Sequence, residues 1–350
     1  MDLTYLEWGK TPDGDPVGLF TLSRDGGLRA QVTDYGATLV SLRVPDRGGV
    51  PGEVVLGYDS PAGYMAGQAC LGATIGRVAN RVARARFELD GCTWELAPNW
   101  RGHQLHGGPH GFHRRMWAAT PVADDEGPAL ALTLFSGHGD QGYPGNLRVT
   151  VTYVLTGTGL RIGYRAESRD LPTPVSLTAH PYFDLAGAGR GDVLGHTARF
   201  AASRYLVADA DLIPTGEIAP VVGTPLDFSR TTAVGARIGD PSPVLAAAGG
   251  YDHYFVLDGR HGALREAAEV HDPASGRTLT VLTTQPGFQF YTANSLDETG
   301  RDGVRYGRHA GFCVEPSGYV DAVNHPGFPS VVIDASAAYQ QTTEYRFTAQ

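Results

Sequence analysis

Lysine is nearly absent from this 350-residue chain: Lys10 stands alone, so 27 of the 28 basic side chains are arginine. Schiff-base, pyridoxal and P-loop chemistry need a lysine at the reacting centre, and one residue within the N-terminal MDLTYLEWGK argues against all three. Cysteine is scarce as well. Cys70, Cys92 and Cys313 are odd in number, far apart and without CxxC spacing, which disfavours both a disulfide framework and a thiolate zinc site. No apolar run approaches the roughly 18 residues of a membrane span. No leader segment is visible at the N-terminus, so the expected compartment is the reducing cytoplasm. Positive charge is short too: 28 Lys+Arg against 37 Asp+Glu leave −9 with no basic stretch, so neither nucleic acid nor an anionic membrane is expected as a partner. GxSxG, HExxH, GxxxxGK[ST] and a GxGxxG opening a helix after a strand are all missing, and with them the common hydrolase, dehydrogenase and kinase signatures.

What the chain has in abundance is turn formers and alternation. Gly 47 and Pro 23 make up one residue in five, the composition of a turn-rich globule. Apolar residues recur at every second position in Leu130, Leu132, Leu134, in Leu147, Val149, Val151, Tyr153, and in Leu160, Ile162, Tyr164, Ala166, the period of half-buried strands. The TGTG at 156–159 between two of these runs predicts a tight antiparallel hairpin with glycines at positive φ. Further strands are expected at 28–32, 38–44, 53–56, 86–96, 278–283 and 288–292, and short helices only near 61–66 and 242–248. Strands alternating with long helices are absent, which excludes a βαβ architecture. With 45–52 and 185–195 read as long loops, the expectation is all-β: one large antiparallel sandwich, a single domain over residues 1–350 with its site on loops.

Three constellations carry chemistry. RGHQLHGGPHGFHRR holds His103, His106, His110 and His113; the glycines and proline among them oppose the helix that HxxH ligation would need. A metal site, one histidine in a substrate pocket, and packing histidines all remain open for this cluster. His180, in LTAHPYFDL, can exchange a proton near neutral pH, or can simply be satisfied by a backbone carbonyl. Glu315 ends the apolar run GFCV, where burial would raise its pKa toward that of a general base. Asp252 in GGYDHYFVL and Asp227 in TPLDF are either site carboxylates or turn formers, and Arg77 and Arg81 in IGRVANRVARAR are candidates to pair with carboxylates or a ligand's hydroxyls.

Taken together and in order, DYGATLVSLRVPDRGG, LGATIGRVANRVARARFELDG, LHGGPHGFHRRMW, GDQGYPGNLRVTVTYVL, LTAHPYFDL, LIPTGEI, TPLDF, GGYDHYFVL and the Glu315 segment resemble the aldose 1-epimerase (galactose mutarotase) family from about Tyr35 to Phe347. The resemblance implies a large antiparallel β-supersandwich, a free monosaccharide as partner, no cofactor and no metal, and a monomer or homodimer. It implies interconversion of α- and β-anomers at C1, with Glu315 as general base, His180 as general acid, and Arg81, His106 and Asp252 holding the sugar. In the ordinary order of pKa values the acid limb of the pH profile would then belong to Glu315 and the alkaline limb to His180. Several positions depart from the family pattern: Ser317 and Val320 after the glutamate, Ala179 and Pro181 around the histidine, His103 before LHGG, and Asp334, Ala335, Ser336 near the C-terminus. Tyr182, Phe183, Phe290 and Trp117 are the aromatic candidates for facing the sugar. The competing readings are a sugar-phosphate epimerase of the same superfamily, a carbohydrate-binding sandwich without catalysis, and a glycoside hydrolase using Asp252 with Glu315.

Overall fold

The computed structural model describes residues 2–350. Three antiparallel sheets carry the fold. The largest has nine strands, and its central six run in space as Ala129–Ser136, Leu147–Leu155, Gly159–Ser168, Tyr339–Ala349, Arg277–Thr283 and Arg265–His271. Leu132 lies opposite Val151 and Val151 opposite Tyr164, so the alternating apolar positions of successive strands fall on one face and enter the main core. A five-stranded sheet of Asp2–Lys10, Pro16–Ser23, Arg29–Thr33, Thr38–Pro45 and Pro51–Glu53 adds Leu22, Val32 and Leu42 to that core. A second five-stranded sheet, ordered Pro214–Pro220, Arg204–Ala208, Asp252–Val256, Gly287–Tyr291 and Cys313–Ser317, contributes Phe255, Phe288 and Phe290. These three rings and Phe228 surround Phe200 at centroid distances of 4.7 to 5.2 Å. Such aromatic pairs add about 1 kcal/mol each beyond area burial, enough to make this sheet a stiff base.

The architecture is the all-β sandwich expected, and the helices fall at Pro61–Ala66 and Pro243–Ala246, the latter capped by the Ser242 hydroxyl, which accepts from Val244 N at 3.4 Å. No helix among the described residues is long and apolar enough to cross a membrane. Local details differ from the sequence reading. Leu147–Leu155 and Gly159–Ser168 do form a hairpin, but neither Gly157 nor Gly159 is in the left-handed region. The Thr156 hydroxyl ties the turn by accepting from Gly159 N at 3.1 Å, and Gly159 is required for space: a Cβ there would sit 1.9 Å from Tyr345 O. The single strand expected at 86–96 is two, Arg86–Leu89 and Cys92–Glu95, folded about Asp90 (φ 51°) and Gly91 (φ 75°) in the manner of a two-residue primed turn. Of the strand expected at 53–56 only Glu53 lies in a strand. Residues 54–56 instead hold the segment that carries His180: Leu56 N donates to Tyr182 O at 2.9 Å and Asp184 N to Val54 O at 3.0 Å.

Candidate active site

Period-2 geometry assembles one wall of a cleft of about 650 Å³. Across three neighbouring strands Asp252 lies opposite Tyr291 and Tyr291 opposite Cys313, while Gln289 lies opposite Glu315. All five therefore share a face, and the intervening Phe288, Phe290 and Val314 point into the core. Glu315 sits at the middle of Cys313–Ser317 rather than at the end of an apolar strand, and it is 4% exposed.

The opposite wall comes from loops. Thr178–Ala179 pairs with Thr74–Ile75, and the next residue, His180, is fixed by its main chain: its N–H donates to Ala73 O at 3.0 Å and its carbonyl accepts from Gly72 N at 2.9 Å. Arg81 lies opposite Leu105 in a two-residue ladder, which brings Asn80 and His106 together. His106 N donates to Asn80 O at 2.9 Å, and Asn80 N donates to His106 Nδ1 at 3.3 Å. A backbone N–H is always the donor, so neutral His106 carries its proton on Nε2.

These elements bring all five expected site residues to one cleft. His180 Nε2 is 3.5 Å from Glu315 Oε2, and its Nδ1 is 3.5 Å from the Cys313 thiol. Tyr182 stacks on the imidazole at 5.0 Å, and His106 meets it edge-on at 5.2 Å. Asp252 accepts from Arg81 Nη2 at 3.2 Å and from Gln289 Nε2 at 2.6 Å. Arg81 Nε and Gln289 Oε1 are buried with no hydrogen-bond partner among the described residues, polar atoms placed to meet a polar ligand. His106, His180 and Glu315 each present one donor atom within 4.8 Å of the others, which is also the compactness a metal would require.

Burial dominates the electrostatics. It pushes the Glu315 carboxyl well above the usual carboxylate range, helped by the nearby Asp252 charge and opposed by Arg81. It also depresses His180 to about 4 and His106 well below the ordinary imidazole value. Both members of the Glu315–His180 pair are thereby driven toward their neutral forms, with one proton between them.

Other candidates fall elsewhere. Among the described residues Arg77 makes no ion pair; it is 1% exposed and donates to the carbonyls of Pro144 and Gly145 and the hydroxyls of Ser136 and Thr173, a structural role, and it is not part of the cleft lining. Asp227 is a turn former, its Oδ1 accepting from Ser229 N at 3.1 Å. Of the histidine cluster only His106 lines the cleft; His103 Nδ1 accepts from Arg84 N at 2.9 Å, His110 is exposed, and half-buried His113 is depressed to about 4 by desolvation. Of the four aromatic candidates Tyr182 faces the cleft, whereas Phe183, Phe290 and Trp117 are core. Tyr291 and Trp100, neither of them expected, stand in the wall instead, and Gln289 was overlooked among the polar groups.

The sequence profile described as aldose 1-epimerase matches residues 18–346. The chain is 42% identical over 349 residues to galactose mutarotase from Homo sapiens, covering 99% of this chain and 98% of that one. It is 38% identical over 344 residues to aldose 1-epimerase from Escherichia coli (strain K12), covering 97% of each. Among solved structures, galactose 1-epimerase from Lactobacillus acidophilus NCFM superimposes with a TM-score of 0.87 at 26% identity, covering 99% of this chain and 98% of that one. Full-length similarity, an all-β sandwich and a cleft holding a buried imidazole beside a buried carboxylate agree: the chain belongs to the aldose 1-epimerase family.

Proposed function

We propose that this chain interconverts the α- and β-anomers of free aldoses, with Glu315 as general base, His180 as general acid, and Arg81, His106 and Asp252 holding the sugar. The observation that carries the reading is the 3.5 Å approach of His180 Nε2 to Glu315 Oε2 at a buried cleft wall. One proton shared across that contact supplies the form in which the carboxylate is ionised and the imidazolium is charged. Glu315 then takes the proton of the C1 hydroxyl while His180 delivers one to the ring oxygen, the C1–O5 bond breaks, and the open aldehyde forms without a free alkoxide. Rotation about C1–C2 and the reverse transfers close the other anomer. Nothing is oxidised or reduced and both protons return to the pair, so the chemistry asks for no electron acceptor.

The Arg81 guanidinium and the His106 Nε2–H are donors for sugar oxygens, and Asp252 is an acceptor for a hydroxyl. Because the wall is drawn from residues spread from Arg81 to Glu315 over loops and sheet, the whole chain acts as one domain in this reading, as a monomer or homodimer. The three free cysteines suit the reducing cytoplasm as its location. Polarimetry of freshly dissolved single anomers of glucose, galactose and xylose tests the activity, with equilibration accelerated equally before and after exhaustive EDTA treatment. If EDTA abolished the activity and zinc restored it, the cluster of His106, His180 and Glu315 would have to be reinterpreted as a metal site.

A further inference from the structure

We propose that Trp100 is a positioning residue for Arg81, an aromatic brace that sets the tilt of the guanidinium in the cleft; this rests on the reading of Arg81 as a sugar-binding residue. Arg81 is 7% exposed, and its two anchors lie at the guanidinium's edge: Nη1 donates to Asn80 Oδ1 at 2.9 Å and Nη2 to Asp252 Oδ2 at 3.2 Å. Hydrogen bonds at the edge fix where a planar group sits but only weakly resist its rotation about the line joining them. The face is governed by Trp100, whose ring centroid is 4.6 Å from the Arg81 guanidinium carbon. A cation over an indole face at that range is attracted by the ring quadrupole, and more strongly where water is excluded.

The brace is itself held. Trp100 and His103 bond each other's main chain, N to O, at 3.1 and 2.7 Å around Arg101 (φ 46°) and Gly102 (φ 80°). Asn99 clasps Leu105, accepting from its N–H at 2.7 Å and donating to its carbonyl at 3.0 Å, and Leu105 is the residue paired with Arg81. The loop that carries the indole is thus tied to the strand that carries the guanidinium. A second cation, Arg101, also lies over the indole at 4.9 Å and is neutralised by Asp211 at 3.3 Å. The series Asp252, Arg81, Trp100, Arg101, Asp211 therefore ends in a carboxylate on each side, which limits repulsion between the two arginines.

The test is a double-mutant cycle of kcat and KM on a single aldose anomer, using the full chain with Trp100→Ala, Arg81→Ala and the pair. Trp100→Ala should raise KM on the order of tenfold while kcat changes by less than about threefold, and Trp100→Phe should recover most of the loss because a ring face is restored. In the Arg81→Ala background, Trp100→Ala should add less than about twofold, since the brace has nothing left to hold. If Trp100→Ala raised KM by the same factor with and without Arg81, the indole would be acting on the sugar or the loop directly, and the proposal would be overturned. Should Trp100→Ala fail to fold, Trp100→Leu, which keeps bulk but has no ring, replaces it in the same cycle; wild-type KM in the leucine variant likewise overturns the proposal. Unchanged KM in Arg81→Ala alone would remove the sugar-binding reading of Arg81, and the brace with it, a result distinguishable from an additive cycle.

Discussion

Glu315→Gln is the substitution that presses hardest on this site, because it keeps shape and removes only the ability to take a proton. Loss of one positioned base costs a factor of about 10²–10⁴ in kcat, or roughly 3–5 kcal/mol of transition-state stabilisation. The structure adds a second, independent expectation about stability. The carboxyl is 4% exposed and its pKa is raised by burial, so folding favours its protonated form. The contribution of such a group to stability is fully present below the unfolded glutamate value of about 4.3 and is lost as pH rises toward the folded value. Glutamine has no proton to lose. The melting temperature of Glu315→Gln should therefore match the wild type near pH 4, exceed it progressively as pH rises from there, and level off once pH passes the folded value of the carboxyl. Polarimetry gives the kcat arm and thermal melts across a pH series give the other. A correctly folded variant retaining more than about a tenth of wild-type kcat would mean that Glu315 is not the base, and Asp252 would be tested next. A melting-temperature difference that stayed flat with pH would refute the claim that the carboxyl is desolvated.

Three more outcomes follow from the geometry. Burial inverts the order of titration expected from ordinary pKa values: the bell-shaped kcat/KM profile should have its acid limb set by His180, near the depressed value of about 4, and its alkaline limb by Glu315. Nitrogen NMR of the imidazoles should accordingly find His180 neutral at pH 7, and an imidazolium there would refute the inversion. Arg81→Ala and His106→Ala should raise KM more than they lower kcat, because these groups hold the sugar in ground and transition states alike; wild-type values of both constants would make the residue concerned structural. Arg77→Met should lower unfolding free energy by on the order of 3 kcal/mol, since it strands several buried acceptors at once, while KM in the folded variant stays unchanged; a loss below about 1 kcal/mol in chemical denaturation would contradict the network.

The legible part of this protein is whatever lies within one strand. Alternation located the central strands of the large sheet, and Glu315, His180 and Asp252 stood out because ionisable residues interrupt apolar runs. Register was not legible: that Gln289 faces Glu315, or that Tyr291 rather than Phe290 shares a face with Asp252, depends on pairing between strands more than twenty residues apart. The Asp90–Gly91 turn was a local signal passed over in favour of a long strand, whereas Gly159 shows the limit of composition, since its small size serves a neighbouring strand that comes far later in the chain. Asp2–Lys10 escaped notice for a different reason: exposed over most of its length, it lacks the apolar alternation that betrays a half-buried strand. Arg77 was misread because a buried cation satisfied by carbonyls and hydroxyls looks, in sequence, like any other arginine.

The strand Tyr339–Ala349 sits inside the nine-stranded sheet, between Gly159–Ser168 and Arg277–Thr283, although it follows both in synthesis. While the chain emerges from the ribosome, the two halves of that sheet exist without the element that joins them. Each then presents a bare row of amide and carbonyl groups where Tyr339–Ala349 will later lie, the kind of edge that recruits strands from other chains. Closure waits on contacts of very long sequence separation, which makes it slow relative to the local hairpins on either side. Yield during expression should thus depend less on the stability of the finished protein than on how long nascent chains wait for this strand, and slower synthesis over the segments preceding residue 339 would prolong the hazard rather than relieve it.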